Sequence, residues 1–311
     1  MHKVSVIGAG NVGATAAYYL AAKNFAEVVM VDVVPGLPQG KALDFLHASG
    51  SMGYNVEIVG SNDYAAIADS DVVVHTAGIA RKPGMDRMDL LRTNVGIAKT
   101  AAENIVKYAP NAVVIVVSNP LDVIAMVMAR ATGFPRERVV GMAGILDSTR
   151  FCFFIAEKLG VLPGDVSAMV LGGHGDSMVP VSKYTTVAGF PLEELMSAED
   201  IKSLSDRTRK GGAEVINYLK TGSAYYAPAA SAVQMVEAVL KDEKRVAPAS
   251  ALLQGEYGYD DLYLGVPVLL GAGGVEEIYE LPLSDDEKSA LDQSVVAVKK
   301  GLADLAEIEA G

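Results

Sequence analysis

Gly8-Ala9-Gly10-Asn11-Val12-Gly13 lies between an apolar stretch that begins at Lys3 and a helical pattern that runs to Lys23. The first glycine permits a tight turn, the second lets backbone approach a pyrophosphate, and the third lets helix pack closely on strand. A helix opening there aims free N–H groups and a positive dipole end at phosphate. Alone, the pattern is weak, because a plain Gly-rich turn has the same spelling. Here Asp32 follows Gly13 by 19 residues, at the end of the next apolar strand. A carboxylate at that point accepts hydrogen bonds from a ribose diol and repels a 2′-phosphate. The combination predicts a dinucleotide site that takes NAD in preference to NADP.

Working outward, Met1-His2-Lys3 and the apolar residues up to Ala22 imitate a secretion signal. Gly8, Gly10, Asn11 and Gly13 interrupt what should be an unbroken apolar run of ~7–15 residues, so a strand, a turn and a helix are expected instead. Short β-branched runs at 3–8, 27–32, 57–59, 72–75, 113–117 and 139–141 alternate with helical patterns at 12–23, 40–49, 89–108, 122–132 and 148–159. Apolar runs of this kind suit strands covered on both faces. Six of them alternating with helices predict an α/β Rossmann domain, a doubly wound parallel sheet. The second half reads differently, with strand-like stretches at 166–171, 178–186 and 262–270 beside long helical ones at 198–219, 229–240 and 285–307. That is an α+β substrate domain, and the expected division is 1–145 and 146–311. Ser284-Asp285-Asp286-Glu287 is a plausible cap for the last helix.

Composition narrows the function. Half of the 311 residues are hydrophobic and 21% are charged, which excludes a disordered chain. With 26 Lys and Arg against 38 Asp and Glu, the net charge is −12 and no dense basic run occurs, so nucleic acid is not an expected partner. No stretch of ~20 apolar residues offers a membrane span. Cys152 is the one cysteine, so no internal disulfide can form, and four scattered histidines with a single Cys do not make a zinc module. No metal is expected, and the cytoplasm is the expected compartment.

Several segments carry chemistry. His174 stands in Leu171-Gly172-Gly173-His174-Gly175-Asp176-Ser177, after an apolar strand. A lone histidine is often a surface or satisfied core residue, but glycine flanks suit a side chain presented at a strand end. A neutral imidazole there can take a hydroxyl proton if a partner orients its other nitrogen. Asp147 is a candidate partner, and it also suits a helix N-cap, since a helix follows. Arg150, three residues on, shares a helix face with Asp147 and can clamp a carboxylate in bidentate fashion or form an ordinary ion pair. The stretch from Thr76 to Arg87 carries Arg81, Lys82 and Arg87 between Pro and Gly, the composition of a loop at a strand end where parallel sheets bind ligands. Asn119, in Ser118-Asn119-Pro120, can donate and accept toward a ligand oxygen, or simply start a helix.

Taken together, GAGNVG with Asp32, ARKPGMDR (80–87), SNP (118–120), GILDSTRF (144–151) and GGHGDS (172–177) resemble the lactate/malate dehydrogenase family, in order and spacing, over essentially the whole chain. The resemblance implies an NAD-dependent enzyme acting on a small 2-hydroxy acid. It implies a proton relay of His174 and Asp147, with Arg150 on the carboxylate beside the reacting carbon and Arg87 polarising the C2 oxygen. Asn119 would hold that oxygen, across an Asn119–Pro120 bond that the family makes cis. It places Asn94, Val117 and Ser118 near the cofactor, with Asn119 and the residues Gly8, Ala9, Gly10, Asn11, Val12, Gly13 and Asp32. Within the family, the position held by Arg81 is Arg in malate enzymes and Gln in lactate enzymes. Arg81 therefore implies malate/oxaloacetate as the substrate, for which the small residues Gly222, Ser223 and Ala224 leave room. The GGHGDS and GILDSTRF segments resemble the lactate-dehydrogenase-like malate branch, which implies a homo-oligomer, a tetramer in preference to a dimer. A dehydrogenase for lactate or another 2-hydroxy acid, an NAD-holding sensor without turnover and a purely structural assembly protein are the rival readings. The second predicts loss of the relay residues, which are present.

Overall fold

Val4, Val6, Val72, Val73, Val74, Val114, Ile115 and Val116 are all inaccessible to solvent, although they point alternately to opposite faces of their strands. Only a sheet covered on both sides buries such runs completely, and a fully buried side chain of this size stabilises by roughly 1.5–3 kcal/mol. The computed structural model describes residues 1–79 and 87–310. Its first half runs β1 (His2–Ile7), α1 (Asn11–Lys23), β2 (Ala26–Val31), α2 (Leu37–Met52), β3 (Ile58–Ser61), β4 (Val72–His75), α3 (Arg87–Tyr108), β5 (Val113–Val116), α4 (Leu121–Thr132) and β6 (Val139–Gly141). The strands pair in parallel in the order β6-β5-β4-β1-β2-β3, the arrangement of a dinucleotide-binding sheet. Strand order reverses between β1 and β4, and a ligand crevice forms outside the carboxyl ends of strands at such a point.

The second half opens with α5 (Gly144–Leu159), followed by β7 (Val166–Leu171), β8 (Val179–Val187) and β9 (Phe190–Pro191). These strands form a separate antiparallel sheet. Phe151 and Ile155 of α5 pack there with Val170, Met178 and Leu192 in a core of their own. The helices α6 (Leu192–Leu195), α7 (Ala198–Arg209), α8 (Gly211–Leu219) and α9 (Tyr226–Leu240) follow. The strands β10 (Arg245–Gln254), β11 (Asp260–Gly271) and β12 (Gly274–Ile278) then lead to α10 (Asp285–Ala310). Ser284 and Glu287 form a reciprocal capping box at its start: the Glu287 N–H donates to Ser284 Oγ at 3.3 Å, and the Ser284 N–H donates to Glu287 Oε2 at 2.9 Å.

Three features depart from the sequence reading. The strands β10–β12 do not stay in the second lobe but continue the first sheet, β10 meeting β6 antiparallel at Ser250 and Gly141, to make nine strands. β10 escapes a sequence reading because Pro248 and four small residues dilute its apolar pattern. Pro248 stands directly opposite Pro267 of β11 in the ladder. The expected helix over 198–219 breaks at Lys210, giving α7 and α8. Asp147 does not cap α5, whose first turn has no side-chain cap.

Candidate active site

The crevice at the β1–β4 switch is a cleft of about 600 Å³. Its walls include Gly10, Asn11, Val12 and Gly13, with Thr76, Arg87, Asn94, Val117, Ser118, Asn119, Gly222 and Ser223. The glycine turn is built for close approach. Gly8 has φ +100°, and a Cβ on Gly13 would fall 1.8 Å from the Gly8 carbonyl oxygen. Gly10 faces open space, with no side-chain cap on the N–H groups that open α1. Thr76, at the end of β4, fastens the turn from beside it, donating to the carbonyls of Ile7 (3.1 Å) and Gly8 (3.0 Å). Asp32 accepts from the N–H groups of Ala9 (2.7 Å) and Val34 (2.9 Å), which hold its carboxylate against the turn. These residues fit a dinucleotide: backbone N–H groups for a pyrophosphate and an anchored carboxylate with spare acceptor capacity for a diol.

Asn94 is buried on α3, and its amide is fully engaged. Oδ1 accepts from the Ile79 N–H (2.8 Å), while Nδ2 donates to the carbonyls of Ile79 (3.3 Å) and Asn119 (3.0 Å). It thus ties the end of the segment after β4 to the Asn119 turn. Ser118 adds a second tie, donating to the Ala77 carbonyl at 2.7 Å. The Asn119–Pro120 bond is cis. Asn119 is exposed, and its side chain has no hydrogen-bond partner among the described residues.

His174 follows β7 on a turn held by several elements. The N–H groups of Gly172 and Gly265 each donate to the other's carbonyl (2.8 and 3.0 Å), pinning the turn to β11. The Gly173 N–H donates to Ser294 Oγ of α10 at 2.8 Å, and the His174 N–H to Asp122 Oδ2 of α4 at 2.9 Å. The imidazole Nδ1 lies 2.8 Å from Asp147 Oδ2, and Arg150 Nη1 lies 3.1 Å from the other Asp147 oxygen. Asp147 is therefore the buried centre of a triad with His174 and Arg150, not a surface pair: its side chain is 2% exposed. A carboxylate only accepts, so the neutral ring carries its hydrogen on Nδ1 and leaves Nε2 free as a base. Burial works against protonating His174. The Asp147 charge and hydrogen bond, helped by Asp122, outweigh it and raise the imidazole above the ordinary histidine value, with Arg150 opposing.

His174, Asp147 and Arg150 are not among the cleft's wall residues. Arg150 borders a second cavity of about 480 Å³, with Phe153, Phe154 and Tyr218. Arg87 opens α3 on the cleft wall, its guanidinium 3.2 Å from Asp304 of α10. Arg81 lies outside the described residues. Sequence reasoning missed Thr76 as a clamp, and it missed Asp122 and Ser294. Asp122 reads as an ordinary first-turn acid of a helix. Ser294 left a signal, because it shares with Leu291 and Val298 the buried face of α10. Among the described residues no group of His, Cys, Asp and Glu is placed to hold a metal, and no helix is long and apolar enough to cross a membrane.

A dinucleotide cradle at the switch point of a parallel sheet, with a polarised imidazole on the adjoining lobe, defines a nicotinamide-dependent oxidoreductase. Residues 2–141 match the family described as lactate/malate dehydrogenase, NAD binding domain, and residues 145–309 match lactate/malate dehydrogenase, alpha/beta C-terminal domain. The chain belongs to the lactate/malate dehydrogenase family. It is 57% identical over 298 residues to the malate dehydrogenase of Thermomicrobium roseum, covering 96% of both chains. The malate dehydrogenase of Picrophilus torridus in its apo form superimposes with a TM-score of 0.96 at 46% identity, covering 99% of this chain and 98% of that one. The lactate dehydrogenase of Cryptosporidium parvum, complexed with lactic acid and nicotinamide adenine dinucleotide, gives 0.92 at 46% identity over 96% of both chains.

Proposed function

We propose that this chain catalyses the reversible oxidation of (S)-malate to oxaloacetate with NAD⁺. The observation that carries the reading is the 2.8 Å contact between His174 Nδ1 and Asp147 Oδ2, which leaves Nε2 as the base. When bound, the nicotinamide supplies the acceptor for the hydride leaving C2. His174 takes the C2 hydroxyl proton at Nε2, and Asp147 orients the ring and steadies the imidazolium. Arg150 clamps the carboxylate beside C2, and Arg81 the distal one. Arg87, exchanging Asp304 for substrate, stabilises charge developing on the C2 oxygen, with Asn119 as a second donor. Two carboxylates gripped by two guanidinium groups fix the geometry for attack.

The Asp32 carboxylate favours NAD over NADP, because a 2′-phosphate there meets like charge and loses its acceptor. Gly8, Ala9, Gly10, Asn11, Val12 and Gly13 hold the pyrophosphate, and Asn94, Val117, Ser118 and Asn119 line the nicotinamide side. Residues 1–145 thus bind cofactor and supply Arg81, Arg87 and Asn119 to the substrate, while 146–311 bring His174, Asp147 and Arg150. The full names of curated relatives support malate as substrate, and the absence of cysteine pairs supports a cytoplasmic setting. A homotetramer is the assembly we assign, to be checked by light scattering. The deciding experiment follows NADH absorbance with oxaloacetate, pyruvate or no keto acid. Rapid, oxaloacetate-dependent oxidation is expected, and equal or greater rates with pyruvate reverse the substrate assignment.

A further inference from the structure

Asp122 is a second buried carboxylate at the base, and the mechanism above gives it no task. It sits in the first turn of α4, 6% exposed, two residues after Pro120. One oxygen accepts from the His174 backbone N–H at 2.9 Å and the other from Ser250 Oγ of β10 at 2.7 Å. Through this one side chain, α4, the turn after β7 and the strand joining the two parts of the large sheet meet at a single point. A carboxylate with both oxygens occupied by donors is held rigidly, and rigidity at the base governs how well it meets the substrate.

We propose that Asp122 is a positioning residue for His174: it locks the His174 turn to the Asn119–Pro120 turn of the cleft and adds negative charge beside the imidazole. The inference rests on His174 acting as the base of the proposed reaction. The charged groups facing the ring are Asp147 and Arg150 from α5 and Asp122 from α4. The other elements packed on the turn, α10 and β11, contribute Ser294, Val298 and Gly265, which carry no charge. Burial raises the Asp122 carboxyl above the ordinary carboxylate value, and the hydrogen bonds from Ser250 and His174 offset only part of that rise. Where Asp122 is ionised, it supports the imidazolium alongside Asp147.

Asp122→Asn separates charge from shape. The amide oxygen can still accept from the His174 N–H, and the amide nitrogen can donate to Ser250 Oγ, since a hydroxyl serves either way. The His174 ring is titrated by NMR in the free protein, which needs neither cofactor nor substrate and has four histidines to resolve. The expected result is a downward shift of the His174 midpoint by roughly half a unit or more. The acid limb of malate oxidation then moves to lower pH by the same amount. Asp122→Ala, which also releases the turn, is expected to lower kcat roughly 10–100-fold while NADH affinity stays within about twofold. If Asp122→Asn does not fold, Asp122→Ser, with room for a bridging water, reads the same midpoint. An unchanged or raised His174 midpoint in a folded variant overturns the proposal. Lack of oxaloacetate turnover in the wild type overturns instead the function proposed above, and leaves the NMR comparison intact.

Discussion

Among single residues, the proposed chemistry concentrates on a nitrogen that has no hydrogen and a carboxylate that cannot turn away. His174 Nε2 is basic because Asp147 occupies Nδ1, and Asp147 is fixed because Arg150 occupies its second oxygen. His174→Asn deletes the base while leaving the glycine cradle untouched. A fall in kcat of at least ~10²-fold is expected, with NADH affinity kept, and steady-state rates beside a fluorescence titration of NADH read both. Near-normal turnover removes His174 from the mechanism. In the proposed reaction Arg81 carries the choice of acid, since the roles proposed for Arg87 and Arg150 serve lactate and malate equally. Pyruvate offers a methyl group where oxaloacetate offers a carboxylate, so the Arg81 guanidinium is left without its proposed partner. A stranded buried charge costs roughly 3–5 kcal/mol, less where water reaches it. Arg81→Gln is therefore expected to shift the oxaloacetate-to-pyruvate ratio of kcat/KM by ~10² or more toward pyruvate. An unchanged ratio makes Arg81 a solvated loop cation.

At the scale of elements, β4 contains an oddity. Its last residue, His75, lies between Ile7 of β1 and Val116 of β5, wholly buried, and neither ring nitrogen has a hydrogen-bond partner among the described residues. Burial lowers its pKa from 6.5 to about 4. Above pH 6.5 the ring is neutral folded or unfolded, and pH does not act through it. Between 6.5 and 4 the unfolded chain binds a proton that the folded chain refuses, so stability falls as pH falls, by about 3 kcal/mol across that window. His75→Val places a β-branched residue in a β-branched setting and abolishes that proton uptake. Denaturant unfolding of both proteins at pH 7 and pH 4.5 is expected to show a smaller acid loss in the variant. Equal losses exclude His75 as the titrating group. The elements themselves were largely readable. Parallel strands buried on both faces spell themselves in Val and Ile, so Val72–His75 and Val139–Gly141 are found where the sequence places them. β10 is not readable, because its burial comes from neighbours on both sides and not from its own apolar pattern.

At the scale of the molecule, the nine-stranded sheet and α10 join the two halves. α10 packs on α3 and α4 of the first half and on β8 and β11 of the second. A cofactor that binds only the folded chain adds stability, about 2.7 kcal/mol at a hundred times its Kd. For a chain of 311 residues that corresponds to a rise in Tm of roughly 4 °C. NADH is expected to produce it and NADPH, repelled by Asp32, to produce far less at equal concentration. Equal shifts with both remove Asp32 as the discriminating group. The cofactor half is legible in the residues alone, because a glycine turn and a carboxylate one strand later act through local backbone geometry. The sequence also supplied His174, Asp147 and Arg150 as candidates, and the family resemblance gave them roles. Folding alone brings to the His174 turn the residues that hold it, Asp122, Ser294 and Gly265, which lie 52, 120 and 91 residues away from His174 in the chain. Such contacts have no periodicity to betray them, since they depend on which strand ends and helix faces folding brings together.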